Sequence, residues 1–258
     1  MLARIQANIV AEKIKEEFSN INIEFLTKET SGDIDLSTPL HKMPDPGVFT
    51  NDIREELLRN KADLAVHSWK DLPVELQEGT EIVTTLKRED PRDLLIFKKG
   101  SIEKKMIKIF TSSPRRKENL SNFLPEFLSW KPKKINFIDV RGNIQTRISK
   151  LFHSKEDGLV IALAAVKRLL SSPQFIEEET NLLNFLQDSK WMILPLSENP
   201  AAPAQGALAV EIASNNHELK DLMYKIGDEK TFNLVNKERE ILKKYGGCLL
   251  YTSPSPRD

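Results

Sequence analysis

The sequence has a single cysteine, Cys248, so no internal disulfide can brace the chain. That thiol is left three roles: an inert buried group, a reactive nucleophile or a covalent anchor. No apolar run reaches the roughly 20 residues that a membrane helix needs. Met1–Val10 lacks the basic, apolar and small-residue regions of a signal peptide, and no Arg- and Ser-rich leader is visible, so a cytoplasmic protein is expected. Net charge is absent too, with 38 acidic against 38 basic residues. No global field recruits nucleic acid or a membrane surface, and neither is expected as a partner. There is no Walker loop, no GxGxxG, no zinc cluster and no Ser-His-Asp set. His153 and His217 lack partners at metal spacing and are expected on the surface, and no metal is expected.

What the sequence does have is a recurring unit: a short apolar run, a polar loop, then helical spacing. A length of 258 residues suggests two domains at roughly 100–200 residues each. Strands are predicted at Ile21–Leu26, Ala62–Val66, Leu94–Phe97, Ile107–Phe110, Ile135–Val140, Leu159–Leu163 and Ala207–Ile212. Helices are predicted over Ile5–Phe18, Asn51–Leu58, Arg116–Phe123, Ile144–Leu151 and Phe232–Tyr245, with Thr50 and Thr231 as N-caps for two of them. Strands alternating with helices imply an α/β class with mixed, mainly parallel sheets. Glu198–Gly206 reads as a Pro-rich hinge, Lys87–Asp93 by composition as a solvated linker, and Tyr251–Asp258 as an aperiodic tail.

In open α/β sheets ligands bind beyond the carboxyl ends of strands, so the loops there matter most. His67–Pro73 sets Lys70 beside Asp71, which can hold an anion and a developing cation together; a solvated ion pair is an equal alternative. Thr111–Arg116 places Arg115 and Arg116 behind Pro114, a good first helical position. Cations there oppose the helix dipole, which points to an anion they hold; the alternative is an exposed basic helix start. In Val140–Arg147, Arg141 ends a strand, Gly142 lets the backbone turn and Arg147 lies in the next helix, giving planar forks suited to carboxylates; the alternative is solvent exposure, which a second Arg-bearing loop of the same design weakens. Gly246-Gly247 ends the last helix and presents Cys248.

Taken in order, these segments resemble the hydroxymethylbilane synthase (porphobilinogen deaminase) family. The matching runs are AVHSWKDLP (65–73), KREDPRDLLI (87–96), TSSPRRKENL (111–120), DVRGNIQTRISKL (139–151), IALAAVKRL (161–169), PAQGALAVEI (203–212) and the YGGC ending (245–248). The resemblance implies two domains like type II periplasmic binding proteins and the start of a small third. Domain 1 would be 1–86 with 201–224, domain 2 87–200, and 225–248 the start of domain 3, with 249–258 a non-matching tail.

It further implies a transferase of tetrapyrrole biosynthesis. Cys248 would hold a dipyrromethane cofactor through a thioether; four porphobilinogens add in turn, each losing ammonia, and water releases hydroxymethylbilane. Asp71 and Lys70 would be catalytic. Ser68, Lys70, Asp71, Ser113, Arg115, Arg116, Arg141 and Gly206 would hold the cofactor with Cys248. Gln6, Phe49, Ser112, Arg141 and Arg147 would bind substrate, and Lys42 would precede a flap. A monomer is implied. The sequence departs from the family at Phe110, where a glycine is usual, at Pro46, where a lysine is frequent, in the missing T-R-x-S run before Leu2, and after Cys248. The implied form is a fragment without the first strand and most of the third domain. The other readings are a non-catalytic anion-binding module of periplasmic-binding type, or an inactive fragment.

Overall fold

Apolar spacing decides where this chain coils and where it extends. In chain order the elements are α1 (Leu2–Glu17), α2 (Asn51–Leu58), β1 (Leu64–Ser68), a 3-10 turn (Trp69–Asp71), β2 (Thr80–Thr84), β3 (Asp93–Lys98), β4 (Met106–Phe110), α3 (Pro114–Phe127), β5 (Lys134–Ile138), α4 (Ile144–His153), β6 (Gly158–Ala162), α5 (Leu163–Leu170), β7 (Ser189–Ile193), β8 (Leu208–Ala213), α6 (His217–Ile226) and α7 (Glu229–Lys244). The structure, a computed structural model, describes residues 1–28, 51–75, 78–172 and 184–245. Thr50, one expected N-cap, lies outside the described residues, as do Lys42, Pro46, Phe49, Gly246, Gly247, Cys248 and the tail.

The chain divides into two units, one taking Met1–Glu89 with Pro203–Gly247, the other Asp90–Ala202. The helix α7, at the start of the implied third domain, clusters with the first unit. Among the described residues, no helix is long and apolar enough to cross a membrane.

In the first unit β8 is the centre of a three-stranded sheet, antiparallel to β1 on one side and β2 on the other. Val10 and Ile14 of α1, Val210 and Ile212 of β8, and Met223 and Ile226 of α6 make its larger core. The central strand also buries a carboxylate. Glu211 faces Ala65 on β1 and Ile82 on β2, so His67 and Thr80, each two residues along, share its side of the sheet. Glu211 accepts from Thr80 Oγ1 at 2.6 Å and pairs with Arg54 Nε at 2.6 Å and His67 Nε2 at 2.8 Å. Burial alone would raise its pKa, but the contacts with His67, Thr80 and Arg54 hold it below the ordinary carboxylate value.

The second unit is a five-stranded sheet in the order β5-β4-β6-β3-β7. Here β4 runs parallel to both its neighbours, β5 and β6, while β3 is antiparallel to both β6 and β7. The expected α/β class with mixed sheets therefore stands, but "mainly parallel" does not, since among the described residues four of the six strand pairings are antiparallel. Leu120 and Leu124 of α3 pack on Leu95, Ile107, Ile109 and Val160.

Other expectations also shift. Ile21–Leu26 forms no strand: Ile21 and Ile23 pack on the core, but no ladder pairs this stretch among the described residues. The charged segment Lys87–Asp93 is no solvated linker, because Asp93 is fully buried and Arg88 is bonded to Glu238. The N-cap of α7 is Asp228 rather than Thr231: its carboxylate accepts from Thr231 N at 2.7 Å. Asp228→Ala is expected to cost roughly 1 kcal/mol, lowering Tm by about 2–4 °C. An unchanged Tm in a calorimetric melt would contradict this assignment of the cap.

Candidate active site

The candidate residues gather at one edge of each sheet, for topological reasons. In the first unit Ser68 pairs with Leu208, so the end of β1 lies beside the start of β8. That places Ser68, the turn Trp69–Asp71 and Gly206 at the same edge. Gln6, buried in α1, donates to Ser68 Oγ at 2.7 Å, which joins two expected site residues 62 positions apart. Trp69 N donates to Ala207 O at 3.1 Å, and Leu72 N closes the turn on Trp69 O at 3.2 Å. Trp69 is buried against Phe232 of α7, with ring centroids 5.4 Å apart. The result is a turn with an immobile middle: Lys70 is half-buried and Asp71 is exposed.

The segment facing this turn is equally constrained. Ala204 and Gly206 both take left-handed backbone, with φ of 65° and 90°. Ala204 is held there by Glu238, which accepts from its N–H at 2.8 Å. Glu238 also pairs with Arg88 through two bonds of 2.6 and 3.1 Å, and Arg88 Nε donates to Gln205 O at 2.8 Å. Glu238 and Arg88 were not among the sequence candidates. For Glu238 the helical spacing of α7, with Phe232, Val235 and Glu238–Arg239 on one face, marks the side that packs inward, while nothing in the sequence singles out Arg88.

In the second unit the two basic loops follow adjacent parallel strands, β4 and β5, and so leave the sheet at the same edge, Phe110 pairing with Ile138. Ser112 Oγ ties the loops together, accepting from Val140 N and donating to Val140 O, each at 2.8 Å. Ser113 is the N-cap of α3, accepting from Arg116 N at 3.4 Å, with Pro114 in its first turn as expected. Gly142 has φ 108°, and an added Cβ would stand 2.6 Å from Thr146 Cγ2, so only glycine suits this turn. Asn143 then caps α4 at Thr146 N, 2.9 Å away. Arg147 Nε folds back onto Gly142 O at 2.7 Å, leaving Arg141 and Arg147 half-buried on one corner.

Arg115 and Arg116 are buried, which excludes an exposed basic helix start. They hold an anion, and the anion in the structure is the protein's own. Because β3 runs antiparallel to β6, its first residue, Asp93, sits opposite Ala162 at this same edge. Asp93 accepts from Arg116 Nε at 3.0 Å and Nη2 at 2.6 Å, from Arg115 Nη2 at 2.8 Å, and from Asn199 Nδ2 at 3.0 Å. Arg116 Nη1 reaches Val160 O at 3.3 Å and Arg115 Nη1 reaches Pro200 O. Burial alone would raise the Asp93 pKa; the charges of Arg116 and Arg115 outweigh it and hold the carboxyl far below its usual range. Neither Asp93 nor Asn199 was a sequence candidate.

Of the expected site, the structure thus brings Gln6, Ser68, Lys70, Asp71 and Gly206 together in one unit, and Ser112, Ser113, Arg115, Arg116, Arg141 and Arg147 in the other. Phe49 and Cys248 lie outside the described residues. Among the described residues no group of His, Cys, Asp or Glu could hold a metal ion.

Asp93→Asn leaves two buried guanidiniums short of a countercharge and is expected to destabilise the protein by about 3–5 kcal/mol. Since the folded pKa is depressed, the contribution of Asp93 is complete above its unfolded value of about 3.9. It is lost as pH falls from there through the folded value. Denaturant melts of wild type and Asp93→Asn at neutral and acid pH check this, the gap closing only on acidification.

The sequence matches, over residues 1–221, the family described as porphobilinogen deaminase, dipyromethane cofactor binding domain. Its relatives include the porphobilinogen deaminase of Caldicellulosiruptor saccharolyticus, 39% identical over 249 residues that cover 95% of this chain and 77% of that one. The porphobilinogen deaminase of Clostridioides difficile is 34% identical over 250 residues, covering 95% and 75%. Among solved structures, a probable amino-acid ABC transporter extracellular-binding protein from Bacillus subtilis is similar at 13% identity and a TM-score of 0.40, over 93% of this chain and 86% of that one. With a family match over most of its length and relatives above 30% identity across 95% of it, this chain belongs to the porphobilinogen deaminase family.

Proposed function

We propose that the chain is a hydroxymethylbilane synthase, a transferase that joins four porphobilinogens head to tail with loss of ammonia and releases the linear tetrapyrrole with water. The observation that carries this reading is Asp71: an exposed carboxylate on a turn whose flanks are fixed by Gln6, Ala207 and Phe232. Preorganised groups aimed at developing charge need no rearrangement at the moment of reaction.

Porphobilinogen carries an acetate, a propionate and a pyrrole N–H, and losing ammonia leaves a cationic azafulvene. Asp71 accepts the pyrrole N–H, stabilises that cation and manages the proton transfers of deamination and ring coupling. Lys70, beside it, offers a positive charge to a substrate carboxylate. Arg141 and Arg147, on the corner that Gly142 turns, bind the acetate and propionate groups of the growing chain through their planar forks. Gln6 acts through Ser68. Ser112 acts on substrate through the loop it ties to Val140, and the family resemblance makes Phe49 a further substrate-binding residue.

The donor set fits a dipyrromethane, a small polycarboxylate with two pyrrole N–H groups: cations and hydroxyls for the carboxylates, and a carboxylate for the N–H groups. Attached at Cys248, this cofactor supplies the primer on which the first porphobilinogen is joined. Ser68, Lys70, Asp71, Ser113, Arg115, Arg116, Arg141 and Gly206 would hold it. Arg115 and Arg116 enter through the N–H groups that Asp93, Pro200 and Val160 do not take. The protein works as a monomer in the cytoplasm, with porphobilinogen and the growing polypyrrole as its partners.

Asp71→Asn keeps the shape of the turn and removes the charge. It is expected to lower kcat for porphobilinogen consumption by about 100-fold or more, with a smaller change in KM because the carboxylate-binding arginines remain. Full turnover by Asp71→Asn would contradict the role given to this carboxylate.

A further inference from the structure

The turn that carries Lys70 and Asp71 rests on a residue with no part in the reading above. Arg239, on α7, donates through Nη1 to Trp69 O and Leu72 O, each at 3.3 Å, and through Nη2 to Pro73 O. Three carbonyls that bracket Lys70 and Asp71 therefore converge on one guanidinium. The same face of α7 supplies Phe232 against the Trp69 ring and the buried Val235, so the helix grips the turn at its side chain and at its main chain.

This arrangement is unusual in its charge. Among the described residues Arg239 has no carboxylate partner, and its hydrogen bonds go to the three carbonyls alone. Of the buried carboxylates nearby, Glu211 is already taken by Arg54, His67 and Thr80, and Glu238 by Arg88 and the Ala204 N–H. Burial first, and the neighbouring Arg54 charge second, push the Arg239 pKa down to about 10, which still leaves it charged at neutral pH. A half-buried cation held by carbonyls alone fixes the planes of the peptides it binds. In a trans peptide the N–H points opposite to the C=O, so fixing Trp69 O directs the Lys70 N–H away from Arg239 and sets the backbone from which the Asp71 side chain leaves. Arginine suits this task and lysine does not, because five donors in a planar fork can meet three acceptors at once.

We propose that Arg239 is a positioning residue for the reaction: by clamping Trp69 O, Leu72 O and Pro73 O it holds the turn in the one geometry that presents Asp71. This rests on the catalytic role assigned to Asp71, and the test separates the two.

The experiment compares the full-length wild type, Arg239→Gln, Asp71→Asn and the double variant, each for kcat and KM with porphobilinogen and for amide hydrogen exchange over residues 68–74. The expected result for Arg239→Gln is exchange in that segment faster by about 10-fold or more, with β8 unchanged. Its kcat falls by about 10-fold while KM stays within about 2-fold. In the double variant Arg239→Gln adds less than about 2-fold to the Asp71→Asn loss, because a clamp acting through Asp71 has nothing left to position. Arg239→Lys, which keeps the charge without the fork, restores the thermal stability but less than half of the lost kcat, and it carries the comparison if Arg239→Gln does not fold. Losses that multiply in the double variant, or unchanged exchange over 68–74, overturn the proposal. Wild-type turnover by Asp71→Asn overturns the reading of Asp71 instead, and the exchange data then still decide whether Arg239 clamps the turn.

Discussion

Asp93 is a carboxylate shut away from water at the start of β3, and two arginines in the first turn of α3 are what make that possible. Removing such a charge from water costs several kcal/mol, and only close countercharge with good hydrogen-bond geometry offsets it. The reverse also holds. Arg115 and Arg116 stand at a helix N-terminus, where the dipole disfavours cations, and Asp93 stabilises them there. The carboxylate thereby fastens β3, α3 and, through Asn199, the segment entering the Pro-rich stretch. The edge of the sheet from which Ser112, Arg141 and Arg147 emerge is built around that one buried anion.

The first unit solves a related problem with different parts. Its edge carries a turn that leaves Asp71 exposed, and bracing comes from behind: Gln6 at Ser68, Ala207 at Trp69, and α7 at the carbonyls and the indole. Glu238 and Arg239 are adjacent in α7 and divide the work, the acid holding the Ala204–Gly206 segment and the base holding the Trp69–Pro73 turn. Both units thus place buried charge behind the functional loop rather than in it. A site for a substrate rich in carboxylates needs cations that stay in place as the chain lengthens, and buried ion pairs with fixed geometry supply that rigidity.

Much of this was legible in the residues, and the failures have physical causes. The strands β4, β5, β6 and β8 and the helices α1, α3, α4 and α7 follow directly from apolar spacing. Strand direction did not, because β3 is buried on both faces and a continuous apolar run looks the same whether its neighbours are parallel or antiparallel. The edge strand β7 was hidden by the exposed Lys190 and Trp191, and α5 by an unbroken apolar run from Ile161 to Val166. The loops bearing Lys70, Asp71 and the arginines were visible because their residue types are odd for their positions. Asp93 was not, because a charged residue in a charged segment looks solvated until the topology shows which strand end it starts, and the spacing of α7 gives the inward face of Glu238 and Arg239 but not the carbonyls and arginine they meet.

The central claim, that this chain belongs to an enzyme that builds a pyrrole chain on a covalent primer, is tested most directly by the mass of the purified protein. Intact mass followed by peptide mapping is predicted to find one dipyrromethane on the peptide that contains Cys248, absent after Cys248→Ala. An unmodified Cys248 in protein made where porphobilinogen is supplied would contradict the account.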